Sequence, residues 1–107
     1  MNTQTFYNID FKNINSRETL HNKLKKSLKF PEYYGMNLDA FWDCLTDIID
    51  HGVVITLDNF DYIEEYDAQY AKKIHEIFER SKHYANDFFY DTYSVFIIRK
   101  GEKTELS

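Results

Sequence analysis

A single cysteine, Cys44, stands in the 107 residues, so no intrachain disulfide and no multi-cysteine zinc site can form. Proline occurs once, at Pro31, and glycine three times, which leaves no Pro/Gly/Ser linker, no low-complexity tract and no internal repeat. No apolar run approaches the 18 or so residues that a membrane span requires. The opening Met1-Asn2-Thr3-Gln4-Thr5 lacks the cationic start and apolar stretch of a secretory leader, so a cytoplasmic, reduced protein is expected. From Pro31 to Asp67 there is no lysine or arginine at all.

What is present suffices for one folded domain over 1–107. Hydrophobic residues make up 43 % and aromatics 18 % of the chain, enough for a core without covalent staples. The net charge of -5 is unevenly spread. Basic residues exceed acids by four in 1–30 and by one in 68–107, while 31–67 carries ten acids and no counter-charge. Such a block repels phosphate backbones, so neither nucleic acid nor membrane is an expected partner. It attracts a cationic protein and speeds encounter with it.

Local patterns predict the order β-α-α-β-α-β, an α/β fold with a small three-stranded parallel sheet and helices packed on it. Thr5 to Phe11 reads as the first strand. Asn15-x-x-Glu18 opens a helix with Leu20, Leu24 and Leu28 on one side, and it stops before Pro31. Gly35 suits a positive-φ turn, and Asn37 an N-cap for a second helix from Leu38 to about Asp50. The β-branched run Val53 to Leu57 reads as a strand buried on most of its surface, and Asn59 to Tyr66 as a loop or short turn. A long helix over about Asp67 to Tyr84 presents Tyr70, Ile74, Ile77, Phe78 and Ser81 inward. Tyr93 to Ile98 forms the last strand, and residues 101–107 read as a frayed tail.

The second helix is where the sequence departs from local self-consistency. Leu38, Phe41, Leu45 and Ile48 make its core stripe, with Ala40 and Cys44 beside it. Asp39, Asp43, Asp47 and Asp50 make another, at steps of four, four and three. Like charges at that spacing cost a helix roughly 0.2–0.5 kcal/mol per pair, and no lysine offsets them. A face that violates the usual interspersed pattern is the mark of a functional surface. Tyr33 and Tyr34 precede it and Trp42 lies within it, residue types that anchor protein interfaces; Tyr34 is assigned to the core and Tyr33 and Trp42 to the contact surface.

Three chemistries compete for these carboxylates. An Asp39/Asp43 acid/base pair needs a pocket and one raised pKa, which nothing in the sequence supplies. A hard-cation site on Asp39 and Asp43, in a metal-dependent enzyme or sensor, has no third ligand and no EF-hand pattern. Protein recognition, with carboxylates docking onto arginines and lysines, uses the whole acidic block and leads. His21, His51, His75 and His83 share no metal-ligand spacing, and Cys44 reads as a small buried thiol. No catalytic residue, metal or cofactor is expected.

The run Pro31-Glu32-Tyr33-Tyr34-Gly35-Met36-Asn37-Leu38-Asp39-Ala40-Phe41-Trp42-Asp43-Cys44-Leu45 closely resembles the loop and second helix of the barstar family, intracellular inhibitors of barnase-type ribonucleases. The resemblance implies a ribonuclease inhibitor of the immunity type, not an enzyme, monomeric when free and 1:1 with a basic ribonuclease. It implies that Asp43 enters the phosphate-binding site of the nuclease and imitates phosphate. Asp39 would pair with basic groups at the rim, and Tyr33 would pack on the catalytic histidine. Asn37, Leu38, Trp42 and Thr46 match further contacts, with Gly35, Asp47, Glu79 and Arg80 as additional positions of the same surface. Two departures fall on that surface: Arg80 stands where the family has a glutamate, next to Glu79, and Ile48 where it has a second tryptophan. The alternative left open is an adaptor that has kept the fold for a non-nuclease partner.

Overall fold

The computed structural model describes residues 4–107, so Met1 to Thr3, part of the segment read for a leader, lie outside it. The elements are β1 (Thr5–Asp10), α1 (Arg17–Leu28), α2 (Leu38–Ile48), β2 (Val53–Asp58), α3 (Phe60–Tyr66), α4 (Ala68–Asp87), β3 (Ser94–Arg99) and β4 (Glu102–Leu106). The sheet runs β1-β2-β3-β4, with the first two pairings parallel and the last antiparallel. With parallel strands placed in chain order, right-handed crossovers deliver all the helices to one face. Burial follows: Val53, Ile55 and Leu57 are buried while Val54, Thr56 and Asp58 are half-exposed, so β2 alternates and is not enclosed on both sides as its composition suggests. The core joins Ile9, Ile55, Leu57, Val95 and Ile97 of the sheet to Leu20, Leu24 and Leu28 of α1, Phe41 and Leu45 of α2, and Ile74 and Phe78 of α4. No helix of the described residues is long and apolar enough to cross a membrane.

Four expectations are corrected. The sheet has four strands, because residues 102–106 pair with β3 in place of fraying. Their turn, Lys100-Gly101, takes φ of 49° and 81°, the two positive values of a tight hairpin, and the pairing then rests on backbone hydrogen bonds that need no apolar side chain. Residues 60–66 form a helix, where Phe60 and Ile63 bury one side and Phe60 meets Phe11 edge-on at 5.1 Å. The α1 cap is Ser16, whose hydroxyl oxygen accepts from the Thr19 N–H at 2.9 Å, while Asn15 bonds the Thr19 hydroxyl. The positive φ before α2 falls on Met36, at 58°. Gly35 is constrained by space instead, since a Cβ there would lie 3.3 Å from that of Ala40.

Candidate functional site

The site begins with a loop anchored by one tyrosine and advertised by the next. Tyr34 is buried, closes a turn through its N–H to the Pro31 carbonyl (3.0 Å), and packs its ring 5.0 Å from that of Phe30. Its hydroxyl lies 2.6 Å from His21 Nδ1, and His21 Nε2 lies 2.6 Å from the Tyr70 hydroxyl. A neutral imidazole has one donor and one acceptor nitrogen, so one phenol gives its proton and the other accepts. Burial lowers the His21 pKa, which keeps the ring in that neutral form, and burial likewise raises the pKa values of both tyrosines. The three residues tie the loop to α1 and α4. Tyr33, with its neighbour held inward, points away and is 83 % exposed.

Asn37 converts this loop into a helix start. Its side-chain oxygen accepts from the Ala40 N–H at 2.8 Å and its amide donates to the Gly35 carbonyl at 3.2 Å. Such a cap is worth about 1 kcal/mol to a helix. Both ends of the Asn37 side chain are therefore engaged within the chain.

From α2 the aspartates face outward. Asp39, Asp43 and Asp47 are exposed, as is Asp50, which lies beyond the helix and accepts from the His51 N–H at 2.7 Å. Among the described residues no ion pair includes any of the four. Other acids of the same block are matched internally: Glu32 to Lys25 at 3.1 Å, Glu64 to Arg99 at 2.7 Å and Asp67 to Arg17 at 3.2 Å. Three acids of the block thus tie elements together; of the seven without an ion pair among the described residues, Asp58, Asp61 and Glu65 are scattered, and Asp39, Asp43, Asp47 and Asp50 line up along and just beyond α2. Thr46, half-exposed next to that edge, donates its hydroxyl proton to the Asp43 carbonyl at 2.8 Å.

A groove of about 510 Å³ runs between α2 and α4. Leu38, Asp39, Trp42 and Asp43 form the α2 side. Lys73, Glu76, Ile77 and Arg80 form the other. Trp42 is half-buried there, its ring edge-on to Tyr84 at 5.9 Å and covered by the Arg80 guanidinium at 4.0 Å. Glu79 does not line this groove; it accepts from or pairs with its own His75 at 2.9 Å. Gly35 is exposed beside Tyr33.

The catalytic and metal alternatives receive little from this geometry. No group of three or more His, Cys, Asp or Glu among the described residues could hold a metal ion. Cys44 is buried, and its thiol pKa is raised by burial and then by the nearby Asp47 and Asp43, the reverse of nucleophile activation. The arrangement offers instead an unpaired carboxylate edge on a rigid helix, flanked by exposed and half-buried aromatic rings.

Comparison with known proteins converges on one family. A family model described as "Barstar (barnase inhibitor)" matches residues 4–96. The protein of Bacillus subtilis (strain 168) named "Putative ribonuclease inhibitor YrdF" is 41 % identical over 80 residues, which are 75 % of this chain and 85 % of that one. The family match ends within β3, so the β3–β4 hairpin lies largely beyond it.

Proposed function

The chain belongs to the barstar family, and from that premise we propose that it inhibits a cationic ribonuclease by docking the α2 edge into the active site of that enzyme. The observation that carries the reading is that Asp39, Asp43 and Asp47 line one exposed helix edge with no intramolecular ion-pair partner among the described residues, while Glu32, Glu64 and Asp67 of the same block are paired. An unpaired carboxylate is ready to accept bidentate hydrogen bonds from arginine, and its two oxygens imitate those of a phosphate. Asp43 is the residue that enters the phosphate site, with Asp39 at the rim and Tyr33 stacked on the catalytic histidine. Leu38, Trp42 and Thr46 fill in around them.

Rigidity makes the imitation effective. The Asn37 cap and the His21–Tyr34–Tyr70 anchor hold the loop and helix before contact, so docking orders little that was free. No bond is made or broken; the enzyme is blocked by occupation. The inhibitor acts as a monomer in a 1:1 complex, in the cytoplasm of the cell that it protects.

The test is titration of barnase activity with the purified protein and with Asp43→Ala. The unaltered chain should abolish ribonuclease activity at stoichiometric amounts. Asp43→Ala should weaken binding by several kcal/mol, the magnitude known for a buried aspartate anchor in the barnase–barstar pair itself. No inhibition by either form, even at large excess, would overturn the reading.

A further inference from the structure

The groove beside the acidic edge carries both signs of charge. Its α2 side is anionic through Asp39 and Asp43, yet Lys73 and Arg80 rise from the α4 side, and neither takes part in an ion pair among the described residues. Arg80 is not a loosely waving surface cation. Its guanidinium lies over the Trp42 ring, 4.0 Å from the centroid, and that ring is itself held by the edge of Tyr84. Glu76 shares the groove wall one turn before Arg80 but makes no ion pair with it among the described residues, and Glu79 is engaged by His75. A planar cation is thus fixed on the wall of the groove with its hydrogen-bonding edge uncommitted.

We propose that Arg80 is a specificity-determining residue, which selects a ribonuclease that places a carboxylate against the α4 wall and disfavours one whose docking surface is cationic throughout. The inference rests on the inhibitor reading above and deepens it. A uniformly basic surface would be drawn to Asp39 and Asp43 and repelled by Arg80 in the same encounter. A surface with a cation for the α2 wall and an aspartate or glutamate for the α4 wall satisfies both, and the guanidinium fork fits a carboxylate with two parallel hydrogen bonds. Like charges set opposite each other across an interface are a strong device for rejecting wrong partners.

The experiment measures binding of the full chain, Arg80→Glu, Arg80→Lys and Asp43→Ala to barnase and to barnase variants in which rim lysines and arginines are changed singly to glutamate. Arg80→Glu should bind unmodified barnase about tenfold or more tightly than the native chain does, and Arg80→Lys should not. At least one reversed barnase variant should show the opposite order, favouring the native chain over Arg80→Glu. The proposal is overturned if Arg80→Glu shifts affinity equally for every barnase form, or not at all, while Asp43→Ala still weakens binding. If no form of the chain binds any barnase form, the inhibitor reading falls and this proposal with it.

Discussion

His21 shows how one buried residue can hold a surface loop in place. It is buried, both ring nitrogens are used, and the ring bridges Tyr34 of the loop to Tyr70 of α4. Its pKa lies below the ordinary imidazole value of 6.5 because burial penalises the cation. Below pH 6.5 the unfolded chain therefore binds a proton at this site that the folded chain resists. Stability rises with pH wherever the unfolded state holds more protons, so this contribution is intact above 6.5 and is lost as the pH falls below it. His21→Gln keeps a donor and an acceptor but does not titrate. Urea unfolding on either side of pH 6.5 should show the native chain weakening more on acidification than the variant does across the same window. Identical slopes would remove His21 as the source of the pH dependence. The sequence placed Tyr34 in the core and Tyr70 on an inward stripe, as found, but not their bridge through His21, since it lies 13 and 49 positions from them and only folding brings the three together. The Asp39–Asp43–Asp47 edge was legible, because four-residue spacing without counter-charge is a purely local signal.

At the scale of elements, what could be read depended on the length and regularity of the pattern. Helices α1, α2 and α4 span 12, 11 and 20 residues and repeat their apolar positions often enough to declare a period. Helix α3 has seven, and its start at Asn59 in the left-handed region, φ 54°, carries no side-chain cap. Strand β4 reads Glu-Lys-Thr-Glu-Leu, with nothing apolar until Leu106. The dependable hairpin signals are Asn-Gly and Asp-Gly, and here a lysine occupies the first turn position. Open space surrounds Gly101, so a side chain there meets no clash and only the φ of 81° resists it. Gly101→Ala should accordingly cost about 1–2 kcal/mol in thermal or urea unfolding. A null effect would mean that the hairpin contributes nothing to the cooperative fold.

The molecule as a whole separates its charges by task. Basic residues dominate the first thirty positions, and in the middle block three acids form internal pairs while Asp39, Asp43, Asp47 and Asp50 stand without one among the described residues. On the proposed reading, the exposed aspartates of the α2 edge accelerate encounter with a cationic enzyme, and dissolved ions shorten the reach of their field to about 10 Å at 0.1 M ionic strength. Stopped-flow mixing with barnase should show the association rate falling about tenfold or more from low to high salt, while dissociation changes far less. An association rate indifferent to salt would reject steering. The charge pattern disclosed the sign and place of this field; of the α4 wall of the groove only Arg80 was anticipated, through the family resemblance, and Lys73, Glu76 and Ile77, on a helix some thirty residues further on, were not.

Trp42 is the sole tryptophan of the chain, and it lies in the groove proposed for docking, between a guanidinium and a tyrosine edge. Its indole emission therefore originates at that one spot, undiluted by any second indole. The protein carries its own optical gauge of occupancy, and a complex can be followed at this face without attaching a dye.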